Sequence, residues 1–396
     1  MPSPQTLAVI DTTRPADTQP HTLAAALATE FAATAAHYDR ANLFPHDNIR
    51  RLHEAGLIGH ALPMELGGGG ANLADALHIV RTVARGEAAT ALVLALQYSI
   101  SSRLGHDTPG WPRAVRLEVA RDIARNGSLI NALRVEPELG TPVRGGVPAT
   151  VARRNGDGWR VSGAKIYSTG APGLTWMLVL AHSAEAAPRV GYWLVHRDSP
   201  GIRIVEDWDH LGLRASASHK VVFDDVPVPG THTLELQPAG SPPVADPHGA
   251  RWGGVLIPSV YDGVARAARD WLVEFSTTRV PTNLGRPLST LPRFQEALGE
   301  IDALLLSNDR LFAGAADGSV ALKQIGQLKH LVTTQAIAVV ERAVQLTGNP
   351  GLTRANPLER HYRDVLCSRV HAPQSDFALS SAGAAAFAEW TDGGQR

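Results

Sequence analysis

The side chains that most often carry chemistry are numerous in this sequence, but few stand at the spacing of a known catalytic motif. Its 16 histidines are scattered, and neither H-E-x-x-H nor C-x-x-C occurs, so the spacing of a zinc site is absent. No G-x-S-x-G hydrolase elbow and no G-x-G-x-x-G dinucleotide motif are present either. The run Gly67–Gly70 could hold a phosphate through its amides, although a flexible turn is the favoured interpretation. The single cysteine, Cys367, excludes an internal disulfide framework and fits a reducing compartment.

The composition of the 396 residues is that of a folded globular protein, with 44% hydrophobic and 19% charged residues. The 37 Lys and Arg residues balance 38 Asp and Glu, so no general attraction to nucleic acid or to a membrane surface is expected. No run of about 18 apolar residues predicts a membrane span. The N-terminal segment lacks the layout of a signal peptide, and we therefore expect a cytoplasmic protein.

The elements that must position any site fall into three regions that differ in their hydrophobic pattern. Apolar residues at three- and four-residue spacings, as in NLADALHIVRTVARGE, predict helices before residue 128, with Asn72 and Asp107 as caps or turns. Segments such as GWRVSG, WMLVLAHS and VGYWLVH then alternate with turn residues, and Asn155-Gly156-Asp157-Gly158 predicts a hairpin. Long helical patterns return after a Pro- and Gly-rich stretch. This order of helical, strand and helical patterns predicts an α+β chain.

The predicted domain boundaries lie where the sequence changes from a helical to a strand pattern and back. Strands without intervening helices favour an antiparallel barrel or sandwich in the middle. The predicted ranges are a flexible N-terminus at 1–20, a helical domain at 21–127, a β domain at 128–232, a Pro- and Gly-rich connection at 233–255 and a C-terminal helical bundle at 256–396.

Several segments, taken together, resemble the acyl-CoA dehydrogenase flavoprotein superfamily over about residues 25 to 385. They are LHEAGLIGHALPMELGGGG, INALRVEPELGTP, GWRVSGAKIYSTGAPGLTWMLVLA, GIRIVEDWDHLGLRASASHKVVFDDVPVP and AVQLTGNPGLTRANPLERHYRD. The resemblance implies the superfamily's helical, β and helical domains, a bound flavin (FAD or FMN) and assembly as a homotetramer.

The same resemblance implies which residues hold the flavin. Tyr167, Ser168 and Thr169 follow a strand and could cover the ring face and bond its polar edge, and Asn131 could reach the ring edge from a neighbouring strand. Val135 stands where the superfamily has Thr, a departure that affects one flavin hydrogen bond. Each of these residues also has an ordinary interpretation as a strand residue.

In the bundle, the resemblance assigns the far end of the cofactor to three further residues. Arg279 offers a fork of donors to phosphate, and Gln345 and Gly348 lie in the segment that resembles the superfamily's Gln- and Gly-rich turn. Arg279 could equally be an ordinary surface charge.

The catalytic carboxylate that removes the substrate's α-proton in the superfamily is missing from its usual position. After the pair Arg363-Asp364, that position falls on Ala372, and the following residues are Pro373-Gln374. This departure argues against ordinary acyl-CoA dehydrogenation.

The second position used by some relatives, near the first bundle helix, shows no carboxylate either. It falls around residues 252 to 254, in the sequence Trp-Gly-Gly. Asp246 and Asp262 are the nearest carboxylates, and neither stands at the expected place.

His371 stands close to the missing base and resembles the His-x-Pro element of the dibenzothiophene monooxygenase branch. This resemblance implies a C4a-hydroperoxyflavin that oxygenates a substrate, with His371 as a hydrogen-bond donor whose pKa lies near neutrality and Ser168 as a second donor. Tyr98, in LALQYSISS, is expected to line the same pocket. The alternative for His371 is a helix-end residue that satisfies carbonyls before Pro373.

Three functions remain open from the sequence. The first is a reduced-flavin monooxygenase that acts on a small sulfur, nitrogen or aromatic compound and is supplied by a separate flavin reductase. The second is an acyl-CoA dehydrogenase or oxidase with a displaced carboxylate, and the third is a non-catalytic flavin-binding or scaffold protein. Trp208, Trp252 and Tyr261 indicate either an aromatic substrate pocket or ordinary core packing.

Overall fold

The N-terminal domain is helical, as predicted. The computed structural model describes residues 19–105, 110–138, 146–241 and 246–393. Asn72 begins the third helix by accepting a hydrogen bond from the Asp75 amide at 3.0 Å, which confirms its predicted cap. Asp107 and most of the predicted flexible N-terminus lie outside the described residues. The helices are α1 (Pro20–Ala41), α2 (His46–Glu54), α3 (Leu73–Gly86), α4 (Ala88–Ser101) and α5 (Arg113–Asn126).

Helix α4 lies in the interior because its sequence, AATALVLALQYSIS, is apolar or small on almost every face. The helix begins at the buried Glu87, whose carboxylate accepts hydrogen bonds from the amides of Ala89 and Thr90. It contacts α3, strand β1 (Leu129–Leu133) and the first helix of the bundle. This central helix therefore joins the three domains around one core.

The described residues of the middle domain form a single sheet of eight strands in the order β6-β7-β3-β2-β4-β5-β8, with β1 beside β4. The predicted hairpin is confirmed: β2 and β3 pair antiparallel, with Asn155 opposite Gly158 and Gly156 in the left-handed region. The remaining strands are β2 (Val151–Asn155), β3 (Gly158–Lys165), β4 (Leu174–Ser183), β5 (Arg189–His196), β6 (Ile202–Val205), β7 (Lys220–Val228) and β8 (Thr233–Pro238).

Two features of this sheet differ from the sequence prediction. First, β1 and β2 each run parallel to β4, so the sheet is mixed and not wholly antiparallel. Second, the stretch 233–255 is not a simple connection. Residues 233–238 alternate apolar and polar side chains and pair with β5 as β8, while Asp246 caps a helix that begins at Pro247.

The C-terminal domain is a helical bundle that packs against both preceding domains. Its helices are α6 (Pro247–Thr278), α7 (Pro292–Asp317), α8 (Ile325–Thr347), α9 (Asn349–Leu352), α10 (Leu358–Leu366) and α11 (Ser375–Gly393). Helix α6 contacts α3, α4, α8 and α10 and forms the centre of the bundle. Among the described helices, none is both long and apolar enough to cross a membrane.

Helix α10 is tied to the other two domains by charged and polar contacts. Arg363 donates to both carboxylate oxygens of Asp39 on α1, at 2.9 and 2.7 Å. The next residue, Asp364, accepts the backbone N–H of Leu213 from the β domain at 2.6 Å. A Cβ on Gly212 would lie 2.3 Å from the Arg363 carbonyl oxygen, so glycine is needed for this close approach. Specific side-chain and backbone contacts therefore fix the junction of the three domains.

Candidate functional site

The turn after β3 holds the residues that the sequence assigned to a flavin ring. Tyr167 has a φ of 55°, which is unusual for a bulky residue. The turn is fixed by its backbone, since the Ser168 amide donates to the His219 carbonyl at 3.3 Å and the Gly170 amide donates to the Ser216 carbonyl at 2.8 Å. The β3 turn and the segment before β7 are therefore joined into one hydrogen-bonded unit.

Hydroxyl groups line up within this unit. The Thr169 and Ser218 hydroxyls lie 3.0 Å apart, and those of Ser218 and Ser216 lie 2.8 Å apart. Asn131 on β1 donates from Nδ2 to the Thr169 carbonyl at 3.0 Å, so the structure brings these two predicted residues together. The buried Ser168 Oγ has no hydrogen-bond partner among the described residues. An unpaired buried hydroxyl is a group that a polar ligand edge would satisfy.

Backbone strain is concentrated around the same hydroxyls. Besides Tyr167, Leu213 and Ala217 have φ values of 50° and 41°, on either side of Ser216. A non-glycine residue in this region costs about 1–3 kcal/mol, and such residues cluster at functional sites. Three of them around one polar cluster support a binding role for this turn.

Aromatic side chains border the turn. Tyr167 is 55% exposed, and its ring lies 6.3 Å from Trp208 and 5.9 Å from His210, edge-on to both. Trp208 and His210 stack at 3.7 Å, and the Trp208 indole donates to the Leu213 carbonyl at 3.2 Å. The structure thus holds Trp208 beside the turn, and this group of rings could cover the flat face of a ligand.

His371 lies in the bundle against Tyr261 of α6. The Tyr261 hydroxyl and the His371 Nδ1 are 2.6 Å apart, and Tyr261 is completely buried. Burial, with the nearby Cys367 and Asp364, raises the pKa of Tyr261 well above its usual value of 10.0. Tyr261 therefore stays protonated, and its hydroxyl is available as a donor.

The electrostatics of His371 correct one sequence prediction. Burial, together with the positive charge of Lys329, lowers the pKa of His371 to about 4. Lys329 is itself buried on α8, where its amine donates to the Ser368 carbonyl at 3.0 Å, and burial lowers its pKa to about 8. His371 is therefore neutral at pH 7, and the predicted pKa near neutrality is wrong.

The carboxylates proposed as displaced bases are occupied by structural contacts. Asp246 caps α6 through the Gly249 amide at 2.9 Å and lies 3.1 Å from the Arg103 guanidinium. Asp262 is fully buried and accepts from Asn308 at 2.8 Å and from Arg266 at 2.7 Å. Neither carboxylate is placed as a free base.

A further carboxyl, Asp364, is buried near Tyr261 of the Tyr261–His371 pair. Burial raises the pKa of Asp364 to about 7. The hydrogen bond that Asp364 accepts from the Leu213 amide partly offsets this rise. Burial, followed by the charge of Asp364, raises the pKa of the Cys367 thiol to about 12. Cys367 is therefore an unreactive thiol at neutral pH.

The remaining predicted residues do not gather at this site. Tyr98 has no exposed surface, and its hydroxyl donates to the Leu57 carbonyl at 2.6 Å inside the N-terminal domain. Its predicted place in a pocket is not supported by this burial. Arg279 at the end of α6, and Gln345 and Gly348 at the end of α8, are exposed, so their assignment to the far end of a cofactor stays a prediction.

Sequence reasoning missed several residues of the site. Ser216 and Ser218 were not predicted as site residues, although two serines two residues apart after a Gly-Leu-Arg turn are a visible signal. Lys329 gave no signal, because a lysine in a helical pattern normally faces solvent. The buried pair of Lys165 and Glu136, with 2.6 Å between Nζ and Oε1, was also not predicted and anchors β3 to the segment after β1.

Comparison with known proteins places this geometry in context. Family models match for the acyl-CoA dehydrogenase N-terminal domain at residues 20–106, the middle domain at 134–226 and the C-terminal domain at 256–375. The chain is 36% identical to YdbM of Bacillus subtilis (strain 168), a provisionally named acyl-CoA dehydrogenase, over 91% of this chain and 94% of YdbM.

Two further relatives differ in name from the dehydrogenases. L-evernosamine nitrososynthase of Micromonospora sp. (strain ATCC 39149 / NRRL 15099 / SCC 1413) is 30% identical over 89% of this chain and 86% of its own length. The structure of KijD3 with FMN and dTDP-3-amino-2,3,6-trideoxy-4-keto-3-methyl-D-glucose superposes with a TM-score of 0.78 at 27% identity, covering 95% of each chain.

Proposed function

Because the chain belongs to the acyl-CoA dehydrogenase family, we propose that it is a flavin-dependent oxidoreductase, and specifically a reduced-flavin monooxygenase that oxidises a primary amine. The observation that carries the oxygenase proposal is the Tyr261–His371 pair, because His371 directly precedes Ala372, the position to which the resemblance assigns the family's catalytic carboxylate. The amine is favoured by the nitrososynthase and KijD3 relatives.

The residues of the β3 turn fit a flavin. The unpaired Ser168 hydroxyl and the Thr169–Ser218 hydroxyl pair offer donors to a polar ring edge, and Tyr167 and Trp208 offer aromatic surface. Arg279 would hold a phosphate of the same cofactor. A bound reduced flavin supplies two electrons and two protons to dioxygen, so that one oxygen atom enters the amine as a hydroxylamine and the other leaves as water.

The chain's own residues would bind the substrate and hold protons in place. His371 is neutral, so it can donate one hydrogen bond while it accepts another from Tyr261. Tyr261 is fully buried, so water is excluded from its side of the hydrogen bond to His371, which strengthens that bond. A separate reductase that supplies reduced flavin belongs to the same proposal, because the sequence has no nicotinamide-binding motif.

Assembly as a homotetramer is part of the proposal as well. Helix α11 exposes Phe387 and Trp390, at 78% and 83%, on one face at helical spacing. Light scattering with size-exclusion chromatography should give four times the chain mass of 42.1 kDa. A monomer at micromolar concentration would contradict this part of the proposal.

A second candidate, acyl-CoA dehydrogenation, is favoured by the identity to YdbM. It would require a carboxylate to take a proton from carbon, and Asp364 is a buried carboxyl whose charge acts on Tyr261. Asp364 is already bonded to the Leu213 amide, so it is a poor candidate for a mobile base.

One experiment separates these functions. Purified protein is given FMN or FAD, an excess of a flavin reductase with NADH, ¹⁸O₂ and a panel of amino sugars free and linked to a nucleotide. We expect products that carry one ¹⁸O on nitrogen by mass spectrometry. In parallel, butyryl-CoA is added without oxygen to the oxidised flavoprotein. Bleaching of the flavin there, with no ¹⁸O product from any amine, would overturn the monooxygenase proposal.

The variant His371→Gln should lower the yield of oxygenated product and increase hydrogen peroxide release, with unchanged flavin affinity. The matched control is His37→Gln, since His37 is an exposed histidine on α1. Equal yields from the two variants would exclude His371 from the reaction.

A further inference from the structure

The hydrogen bond between Tyr261 and His371 has a direction that the surrounding groups determine. Tyr261 projects from the middle of α6 and is 0% exposed, so its O–H needs an acceptor within the protein. Among the described residues, the acceptor that the structure provides is the His371 Nδ1 at 2.6 Å. If the tyrosine donates, Nδ1 carries the lone pair and not the proton.

We propose that Tyr261 is a positioning residue whose hydroxyl donates to Nδ1 and thereby fixes His371 as the neutral Nε2–H tautomer. An imidazole has two ring nitrogens, and the hydrogen bond at one of them decides which tautomer is present. With Nδ1 occupied, Nε2–H is the group left to act as a donor toward a ligand. What this N–H bonds to rests on the proposed function, whereas the tautomer itself does not.

The groups that face this pair keep the imidazole neutral. Lys329 comes from α8 and is held by the Ser368 carbonyl, three residues before His371 in the chain. Its positive charge disfavours a second proton on the ring. Asp364 and Cys367 lie near Tyr261, and a negative charge on either of them would disfavour a tyrosinate. Each of these neighbours therefore favours the same state, a protonated phenol beside a neutral ring.

This arrangement changes the role expected of His371. A neutral ring with a fixed Nε2–H can hold an oxygen atom by a hydrogen bond, yet it does not act as an acid near pH 7. Tyr261 then acts through His371, and removing its hydroxyl should allow both tautomers. The effect should appear even in protein that carries no cofactor.

The test is nitrogen-15 NMR of protein labelled at histidine, with His371 identified by the signal that is lost in His371→Gln. For the wild type at pH 7, we expect Nδ1 at the shift of an unprotonated, hydrogen-bonded nitrogen and Nε2 at the shift of a protonated one. In Tyr261→Phe, both shifts should move toward tautomer-averaged values and the pKa of His371 should change. The matched control Tyr192→Phe, on β5, should leave both signals in place.

The result for the wild type alone can overturn the inference. A protonated Nδ1, or a doubly protonated ring at pH 7, would exclude it whether or not Tyr261→Phe folds. The functional arm measures oxygenated product per reduced flavin consumed, and Tyr261→Phe should lower that ratio by about tenfold, less than the roughly 10²-fold minimum for a group that transfers the proton itself, because Tyr261 acts only through His371. If NMR shows the fixed tautomer but no amine is oxygenated, the proposed function fails while this inference stands.

Discussion

Asp364 should make the protein less stable as the pH rises, which is the opposite of the effect of most carboxylates. The residue is only 4% exposed and bonds the Leu213 amide across the junction of the bundle and the β domain. Burial raises its pKa from the ordinary 3.8 to about 7. A folded state that binds its proton more tightly than the unfolded chain is stabilised at low pH and loses that stability as the pH rises.

The magnitude follows from the two pKa values. Below pH 3.8 the carboxyl of Asp364 is protonated in both states and makes no pH-dependent contribution. Between pH 4 and 7 the unfolded chain releases the proton while the folded protein keeps it, so the free energy of unfolding falls as the pH rises. At 1.36 kcal/mol per pKa unit, the difference between 3.8 and 7 corresponds to a loss of about 4 kcal/mol, complete above pH 7.

The assay is chemical denaturation of the wild type and Asp364→Asn at several values between pH 4.5 and 8. Asparagine keeps the acceptor for the Leu213 amide but cannot ionise. We therefore expect similar stabilities at pH 4.5 and an advantage of a few kcal/mol for Asp364→Asn at pH 8. The control Asp224→Asn changes an exposed aspartate and should follow the wild type throughout. A difference between Asp364→Asn and the wild type that does not vary with pH would refute the reasoning.

Two further predictions concern the β domain. Ser168→Ala should leave the free energy of unfolding within about 0.5 kcal/mol, because the hydroxyl has no partner among the described residues, yet weaken flavin binding by about 1 kcal/mol in a fluorescence titration. Equal flavin affinity would remove Ser168 from the cofactor site. Lys165→Met should lower the free energy of unfolding by about 3–5 kcal/mol, because it leaves the buried Glu136 carboxylate unpaired. Adding Glu136→Gln to Lys165→Met should recover part of that loss, and no recovery would contradict the assignment.

Much of the fold could be predicted because its signals are local. Helix periodicity, the Asn72 cap and the Asn155–Gly158 hairpin each depend on a few neighbouring residues, and each is confirmed. The parallel pairing of β1 with β4 could not be predicted in the same way, since it joins segments 45 residues apart (Leu129 with Leu174) through contacts that no local pattern encodes. Strand β8 was missed because the Pro and Gly residues that surround it resemble those of a loop.

In the candidate site, too, the local features could be predicted and the contacts between distant segments could not. The β3 turn was found because Tyr167, Ser168 and Thr169 are adjacent in the sequence and resemble a family segment. The partner of His371 was not found, because Tyr261 lies on another helix and its sequence context shows only a buried aromatic residue. The pKa of His371 could not be predicted either, since it depends on burial and on Lys329, which the folded bundle brings near.

The bundle also explains why Asp364 and His371 differ in the direction of their pKa shifts. Burial opposes charge on any group, so it raises the pKa of a carboxyl and lowers that of an imidazole. Asp364 shows the first effect, with a pKa of about 7, and His371 shows the second, with a pKa of about 4. A raised pKa does not by itself prevent a carboxyl from acting as a base, but Asp364 is held by the hydrogen bond that it accepts from the Leu213 amide. A neutral imidazole can accept from Tyr261 at one nitrogen and donate from the other. The neutral state of His371 therefore fits the hydrogen-bond donor that the proposed oxygenase chemistry assigns to it.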